Sequence, residues 1–407
     1  MTTNLARISH SPIVKEESPL PKKWKTVRLA DIAEARLGKM LDAQKNRGRL
    51  HLYLRNPNVR WFDLDLADLR EMPFEEEEEE KFSIREGDVL ICEGGEAGRA
   101  AIWEGADAGV KFQKAIHRVR AGPELFNRFL VHRLFYDYHS GRLADYYTGA
   151  TISHFTGQDL ARYEFALPSL DEQRRIAAIL DQADDLRRKR REALERLQGL
   201  KPSVFLDIFG DPVTNRRGWP RSRLDAAGTL DRGVSKHRPR NDPVLLGGAY
   251  PLIQTGNIAN CDGYVRTYTA TYSDVGLKQS RLWPAGTLCI TIAANIGNTG
   301  ILTFDACFPD SVVGFTPNDQ VVTEFVQQWF GFIQPALEKD APQFAQKNIN
   351  LAILRDLILP VPPISLQRDF AAIVAEIDAL KVSHRTHLAK LDALFASLQH
   401  RAFRGEL

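Results

Sequence analysis

The sequence predicts an α+β protein: two mixed α/β globular segments, each followed by a long helix, forming an internal repeat. Three observations carry this prediction. The first is residues 167–212, which read as one long helix. Asp171 is a good N-cap, and Asp171, Glu172 and Asp181 place negative charge in the early turns, where the helix dipole favours it. Ile176, Ile179, Leu180, Ala183, Leu186, Ala193, Leu194, Leu197 and Leu200 return at helical spacing. No proline interrupts before Pro202, and Gly210 and Pro212 mark the stop. About 30 residues make a rod of roughly 45 Å, too long to bury its apolar stripe in a small domain without a partner helix. The second observation is residues 359–407, which supply that partner. Gln173-Arg174 lines up with Gln367-Arg368, and Leu197, Leu200, Ser203 and Phe209 line up with Leu391, Leu394, Ser397 and Phe403, at a constant offset of about 194 residues. The third is that each helix follows a segment of about 150 residues with its own Leu-Pro exit, Leu167-Pro168 and Leu359-Pro360.

Composition sets the bounds. A chain of 407 residues has room for two domains and connectors, and 43% hydrophobic with 26% charged residues is the balance of a soluble globular protein. No apolar run approaches the ~18 residues of a membrane span, and the N-terminus lacks an apolar signal core, so a cytoplasmic location is expected. Cys92, Cys261, Cys289 and Cys307 are scattered, which favours buried reduced thiols over zinc or disulfides. Net charge is only +2, so a nucleic-acid binder would have to concentrate its basic residues on one face.

The Leu-Pro-x-Leu-x-Glu-Gln-x-x-Ile start at 167–176, the long charged helix and the Phe-Leu-Asp-x-Phe-Gly-Asp-Pro exit at 205–212 resemble the central spacer of the specificity subunit of type I restriction–modification enzymes. The resemblance covers nearly the whole chain. It implies target-recognition domains at 23–166 and 213–358 and two long antiparallel helices at 167–212 and 359–407; residues 1–22, rich in Ser, Pro, Lys and Glu with little apolar periodicity, read as a flexible arm. These helices would form a coiled-coil-like spacer with pseudo-twofold symmetry. The implied function is sequence-specific recognition of double-stranded DNA with a bipartite site, one half per domain. The implied partners are two methyltransferase (modification) subunits and restriction/translocase subunits, with no membrane association. Cofactors would sit on those partners: S-adenosylmethionine, and ATP with Mg. One alternative within the class is a DNA-reading subunit of a solitary methyltransferase or another defence system. An alternative from a different class is a coiled-coil structural assembly protein.

Candidate DNA-binding residues follow along the chain. Lys45, Arg47, Arg49 and Arg55 interleave with His51 and Tyr53, a pattern suited to phosphate and base contact or to a solvated loop. The run 75–80, six glutamates, would repel phosphate and is placed away from the duplex. Residues 82–103 read as strand, Gly-rich turn, strand. Gly94 and Gly95 let backbone N–H groups approach a ligand and Arg99 offers a bidentate donor, although a plain hairpin turn is the bland reading. Residues 286–300 repeat this with different turn residues, Asn295 and Asn298. Lys114 opens a strand with basic alternate positions. Thr151, Ser153 and His154 suit polar contacts to a duplex or the capping of the next turn. In the second half Gln254, Thr255 and Asn257 fall in a stretch that resembles the family's early loop, where Gln and Asn can pair with adenine edges, and Gln346, Lys347 and Asn348 fill a later loop. The apolar stripe Ile176, Leu180, Leu186, Leu197, Phe205, Phe209, Ile377, Leu391, Leu398 and Phe403 is assigned to the partner interface. The basic run 187–191 points around most of the helix and is expected to be paired with Asp184, Asp185, Glu192 and Glu195 or solvated.

Several chemistries are missing from the sequence. There is no Asn-Pro-Pro-Tyr-type tetrapeptide for amino-methyl transfer, no glycine fingerprint for S-adenosylmethionine after a strand, no Walker lysine, and no acid-plus-lysine nuclease cluster. No metal site is expected. The chain reads as a recognition subunit, not an enzyme. If helix length sets the distance between domains, roughly 45 Å at 3.4 Å per base pair gives a spacer of about one turn plus a few pairs.

Overall fold

The computed structural model describes residues 23–42, 44, 46–105, 109–149, 153–340 and 349–407. The expected arm at 1–22 and the candidates Lys45, Thr151, Gln346, Lys347 and Asn348 lie outside the described residues. The chain divides into two compact units, Met1–Arg190 with His387–Leu407, and Arg191–Thr386.

In the first unit a two-stranded ribbon pairs Lys25–Arg28 with Glu164–Leu167, so the start and end of the domain leave together. The main sheet has four strands in the order Ala33–Leu37, Ile116–Ala121, Val89–Cys92, Ala100–Ile102, all antiparallel. Val89–Cys92 is apolar and wholly buried, as expected of a central strand covered on both faces. One face packs on the helix Asn127–His139 through Val89, Ile91, Phe129, Leu130 and Leu134. The other packs on a three-stranded sheet of Arg70–Phe74, Arg49–Leu54 and Lys111–Phe112, through Leu90, Leu54, Phe74 and Phe112.

The second unit repeats this plan. Arg221–Arg223 pairs with Ile358–Pro360. The main sheet runs Gly228–Arg232, Val312–Pro317, Leu288–Thr291, Thr299–Leu302, and adds a parallel fifth strand, Tyr264–Val265. The helix Thr323–Asp340 packs on it through Phe325, Trp329 and Phe330. A four-stranded companion sheet contains Ala270–Tyr272, Leu246–Leu252, Ala306–Cys307 and Leu282–Trp283.

The long helices are Leu170–Gln198, 29 residues, and Ile364–Ala402, 39 residues. One uninterrupted helix over 167–212 is not what forms. The helix stops at Gln198, and Gly199 leads into a second helix, Leu200–Phe209. Pro202 explains the break: it lacks an N–H, and its ring meets the carbonyl four residues back, that of Gln198. Leu167 and Leu359 belong to strands, and the C-terminal helix starts at Ile364.

Within the first unit Arg187 bonds Asp184 and Asp392 at 2.7 and 2.6 Å, and Arg175 bonds the Leu407 carbonyl at 2.7 Å, an antiparallel register. Within the second, Lys201 pairs with Asp378 at 2.6 Å, and Phe205 and Phe209 pack on Phe370, again antiparallel. The basic run is ion-paired as expected: Arg188 and Lys189 both reach Asp185, one turn away.

The apolar stripe requires a correction. Ile176, Leu180 and Phe403 are buried in the first unit's own core, Phe205 and Phe209 in the second's, and Ile377 is buried as well. Leu197, Leu391 and Leu398 are half-buried. Of the stripe only Leu186, at 52%, is exposed. The domains themselves cover the inner helix faces.

Candidate nucleic-acid interface

In the first unit every loop at one end of the main sheet converges. The strand Val89–Cys92 runs into the turn 93–99, which Gly98 N closes on the Cys92 carbonyl at 2.9 Å. Gly95, with φ +73°, sits in the left-handed region that suits glycine. Glu93 N donates to the Ala115 carbonyl and Phe155 N to the Glu93 carbonyl, at 2.9 and 2.7 Å. Lys114 N donates to the Lys39 carbonyl at 2.6 Å. Gly94, Gly95, Lys114, Ser153 and His154 are thereby brought together. The Lys114, Ser153 and His154 side chains are exposed.

Arg99 has a different role from the free bidentate donor expected. Its guanidinium bonds Glu96 at 2.5 Å and the Asn56 side-chain and backbone oxygens at 2.9 and 3.0 Å. Asn56 Nδ2 in turn donates to the Gly94 carbonyl at 2.7 Å, and the Tyr147 hydroxyl donates to the Ala97 carbonyl at 2.6 Å. Arg99, Asn56 and Tyr147 thus hold the turn in shape. Arg55 is likewise committed, to Asp68 at 2.5 Å. Arg49 lies at the far end of its strand from Leu54, about 16 Å from this end of the sheet at the usual rise. Arg47 is exposed on the intervening loop.

The basic positions of the strand Ile116–Ala121 point inward. Arg118 donates to the Ser83 carbonyl at 2.7 Å and pairs with Glu34, and Arg120 forks onto Asp88 at 2.8 Å twice. Burial pushes His117 below its ordinary range, so a neutral ring supports the Phe155 carbonyl at 3.0 Å. The glutamate run is a short helix, Glu76–Lys81, in which Glu78 pairs with Lys39 and Glu79 approaches His51.

In the second unit the turn 292–298 occupies the place of 93–99. Ala294 and Asn295 have φ of +45° and +46°, and the exposed Asn295 supplies its carbonyl to Asn298 Nδ2 at 2.8 Å. Ile292 N bonds the Ser311 carbonyl and Ile349 N the Ile292 carbonyl, both at 3.0 Å. Gln254 precedes the short helix Thr255–Ala259, and its N–H donates to Asn257 Oδ1 at 2.9 Å, leaving the Asn257 amide nitrogen toward a polar groove that Gln254, Asn260, Thr267 and Arg266 also line.

The sequence reading missed the loop 233–242. A Cβ at Gly38 would lie 2.3 Å from the Gln113 carbonyl oxygen, and one at Gly233 2.3 Å from that of Pro309, so both loops need glycine for the same close approach. Downstream of Gly233 come exposed Lys236, Arg238 and Arg240, the two arginines both paired with Asp310. The repeat offset carries Gly38 to within one residue of Gly233, a signal sufficient to find this loop. Among the described residues no group of three or more His, Cys, Asp or Glu is placed to hold a metal ion. No described helix is long and apolar enough to cross a membrane.

Two copies of one α/β scaffold, each gathering polar and basic loops at one end of its main sheet, define a duplicated recognition protein. The profile of the type I restriction modification DNA specificity domain matches residues 21–196 and 234–392, and the chain belongs to that family. It is a DNA-recognition chain, not a catalytic one. It is 20% identical over 383 residues, 90% of this chain and 89% of the relative, to a putative type I restriction enzyme MjaX specificity subunit of Methanocaldococcus jannaschii. It is 26% identical over 143 residues, 33% of this chain and 30% of the relative, to the type I restriction enzyme EcoBI specificity subunit of Escherichia coli. Its fold is similar to a chain from a type I system solved to explain complex assembly and conformational transition, with TM-score 0.61, 20% identity, and 96% and 100% of the two chains covered. It is also similar to the type I S subunit from M. genitalium, with TM-score 0.60, 16% identity, and 97% and 99% covered.

Proposed function

We propose that this chain reads a bipartite DNA target, one half per unit, and that its long helices set the gap between halves. The observation that carries this reading is the duplication itself: the same sheet-end loops occur in both units with different side chains. Exposed Arg47 and Lys114 in one unit, and Lys236, Arg238 and Arg240 in the other, suit phosphate contacts that fix register. Ser153 and His154, and Gln254, Asn257, Asn295 and Asn298, suit base edges. Two modification subunits dock on the outer helix faces, where Leu186 and Leu394 in one unit and Leu200, Leu206, Leu380 and Val382 in the other stay exposed. Those partners carry S-adenosylmethionine, and a restriction subunit carries ATP with Mg.

The test is co-expression with the methyltransferase encoded nearest to this chain, followed by methylation mapping of genomic DNA. The expected result is a split motif of two short blocks around a fixed gap, modified in both, with one block altered when residues 23–166 are replaced. Absence of both methylation and co-purification overturns the reading.

A further inference from the structure

The second unit ties the turn after the helix Thr255–Ala259 directly to the C-terminal helix. Asp262 follows Thr255–Ala259 by three residues and sits at φ +48°, with Gly263 next at φ +97°, a tight turn. Its carboxylate meets Lys381 Nζ at 3.3 and 3.5 Å and Arg385 at 2.7 Å, two cations one helical turn apart. The Lys381 side chain is only 3% exposed, so its charge needs a carboxylate in that one place. The other strand of the helix pair holds the same turn: Lys201, paired with Asp378, lies 5.6 Å over the Tyr264 ring. Ile301 N donates to the Gly263 carbonyl at 2.9 Å, fixing the turn to the sheet as well.

In the first unit the tie has another form. Asp181 of the long helix takes Arg128 and His132 of Asn127–His139, at 2.8 and 2.7 Å, and the reading loops are not part of it.

Resting on the two-half reading above, we propose that Asp262 is a positioning residue for spacer length. Seated between Lys381 and Arg385, it fixes where along the helix the Gln254–Asn257 reader stands. Asp262 and Arg385 line the same groove as Gln254 and Asn257, but the Asp262 carboxylate is taken up by Lys381 and Arg385, so its part is to govern the gap and not the half-site sequence. Sliding the reader along the helix strands a nearly buried ammonium, so the seat opposes off-length spacers.

The test uses the chain in complex with its methyltransferase and a plasmid library in which the two mapped half-sites are separated by gaps of varied length. Modified molecules are read by sequencing. Asp262→Asn and Arg385→Gln should each raise modification at gaps one base pair off by about tenfold relative to the native gap, with both half-sites unchanged. Arg385, 49% exposed, keeps the test available if Asp262→Asn does not assemble. A gap distribution as narrow as that of the unaltered chain overturns the proposal. So does loss of modification at every gap, or failure of both variants to assemble, since either marks the turn as structural only. Failure of the unaltered chain to yield any split motif overturns the two-half reading, and this proposal with it.

Discussion

Gln173 is fully buried, yet its amide has no bond to spare. Nε2 donates to the Glu124 and Pro168 carbonyls at 2.8 and 2.9 Å, and Oε1 accepts from Phe126 N at 2.7 Å. Gln367 does the same with Gln320 and Pro362 at 3.0 and 2.8 Å and with Val322 N at 3.0 Å. Each glutamine joins the start of a long helix to the start of the domain helix it packs on. Replacing either by Leu strands three backbone groups, one buried and two part-buried, and should cost about 2–4 kcal/mol, read as a drop of roughly 5–10 °C in Tm. A second buried group is Arg133, which forks onto Asp137 at 2.8 and 2.9 Å while the Tyr163 hydroxyl donates to Asp137 at 2.6 Å. Asp137→Asn leaves an uncompensated guanidinium and should cost about 3–5 kcal/mol by chemical denaturation. Burial pushes the Cys92 thiol up to about 11, against the pull of the nearby Arg99, and raises Cys289 as well. Cys261, half-buried, should alkylate first of the four in the native protein.

At the scale of elements, ion pairs decide how each domain meets its helices. Burial works to raise Asp181, but His132 and Arg128 outweigh it and hold the carboxyl below its ordinary value. A carboxylate depressed on folding contributes stability that is fully present above its unfolded pKa, about 3.9, and is lost as pH falls through the lower folded value. The stability gap between the unaltered chain and Asp181→Asn should therefore close as pH falls from about 5 toward 3. Urea midpoints across that range check this, and a gap that widens in acid contradicts it. The helix break at Gly199 and Pro202 belongs to this scale too. Pro202→Ala restores the donor to the Gln198 carbonyl, and helix content by circular dichroism should rise.

At the scale of the molecule, the proposed ruler role of the helices makes a direct prediction. Adding one turn, about 5.4 Å, to both helices should lengthen the gap between half-sites by one to two base pairs at 3.4 Å each. Methylation mapping reads this directly, and an unchanged gap refutes it. The Asp262 pin sharpens the expectation: the insertion must fall on the first-unit side of Lys381, or the seat itself moves.

The sequence by itself determined the duplication, the two long helices and their antiparallel match, and the strand–turn–strand hairpins in both halves. These depend on local periodicity and on a repeat offset, which survive in one dimension. It also determined that recognition without catalysis was the better reading, because catalytic motifs are short and local. Only the tertiary structure decided which polar side chains are free. Arg55, Arg99, Arg118 and Arg120 look as suited to DNA as Lys114 does, but long-range partners, Asp68, Asn56, Glu34 and Asp88, occupy them. The stripe Ile176, Leu180, Phe205 and Phe209 was legible as apolar, yet periodicity cannot say whether a domain or another chain covers it. The seat of Asp262 was not legible because it depends on a close approach between residues far apart in sequence, whereas the loop at Lys236 is marked in the sequence only by the repeat offset from Gly38. A carboxylate 119 residues from its lysine leaves no mark on either neighbourhood of the chain.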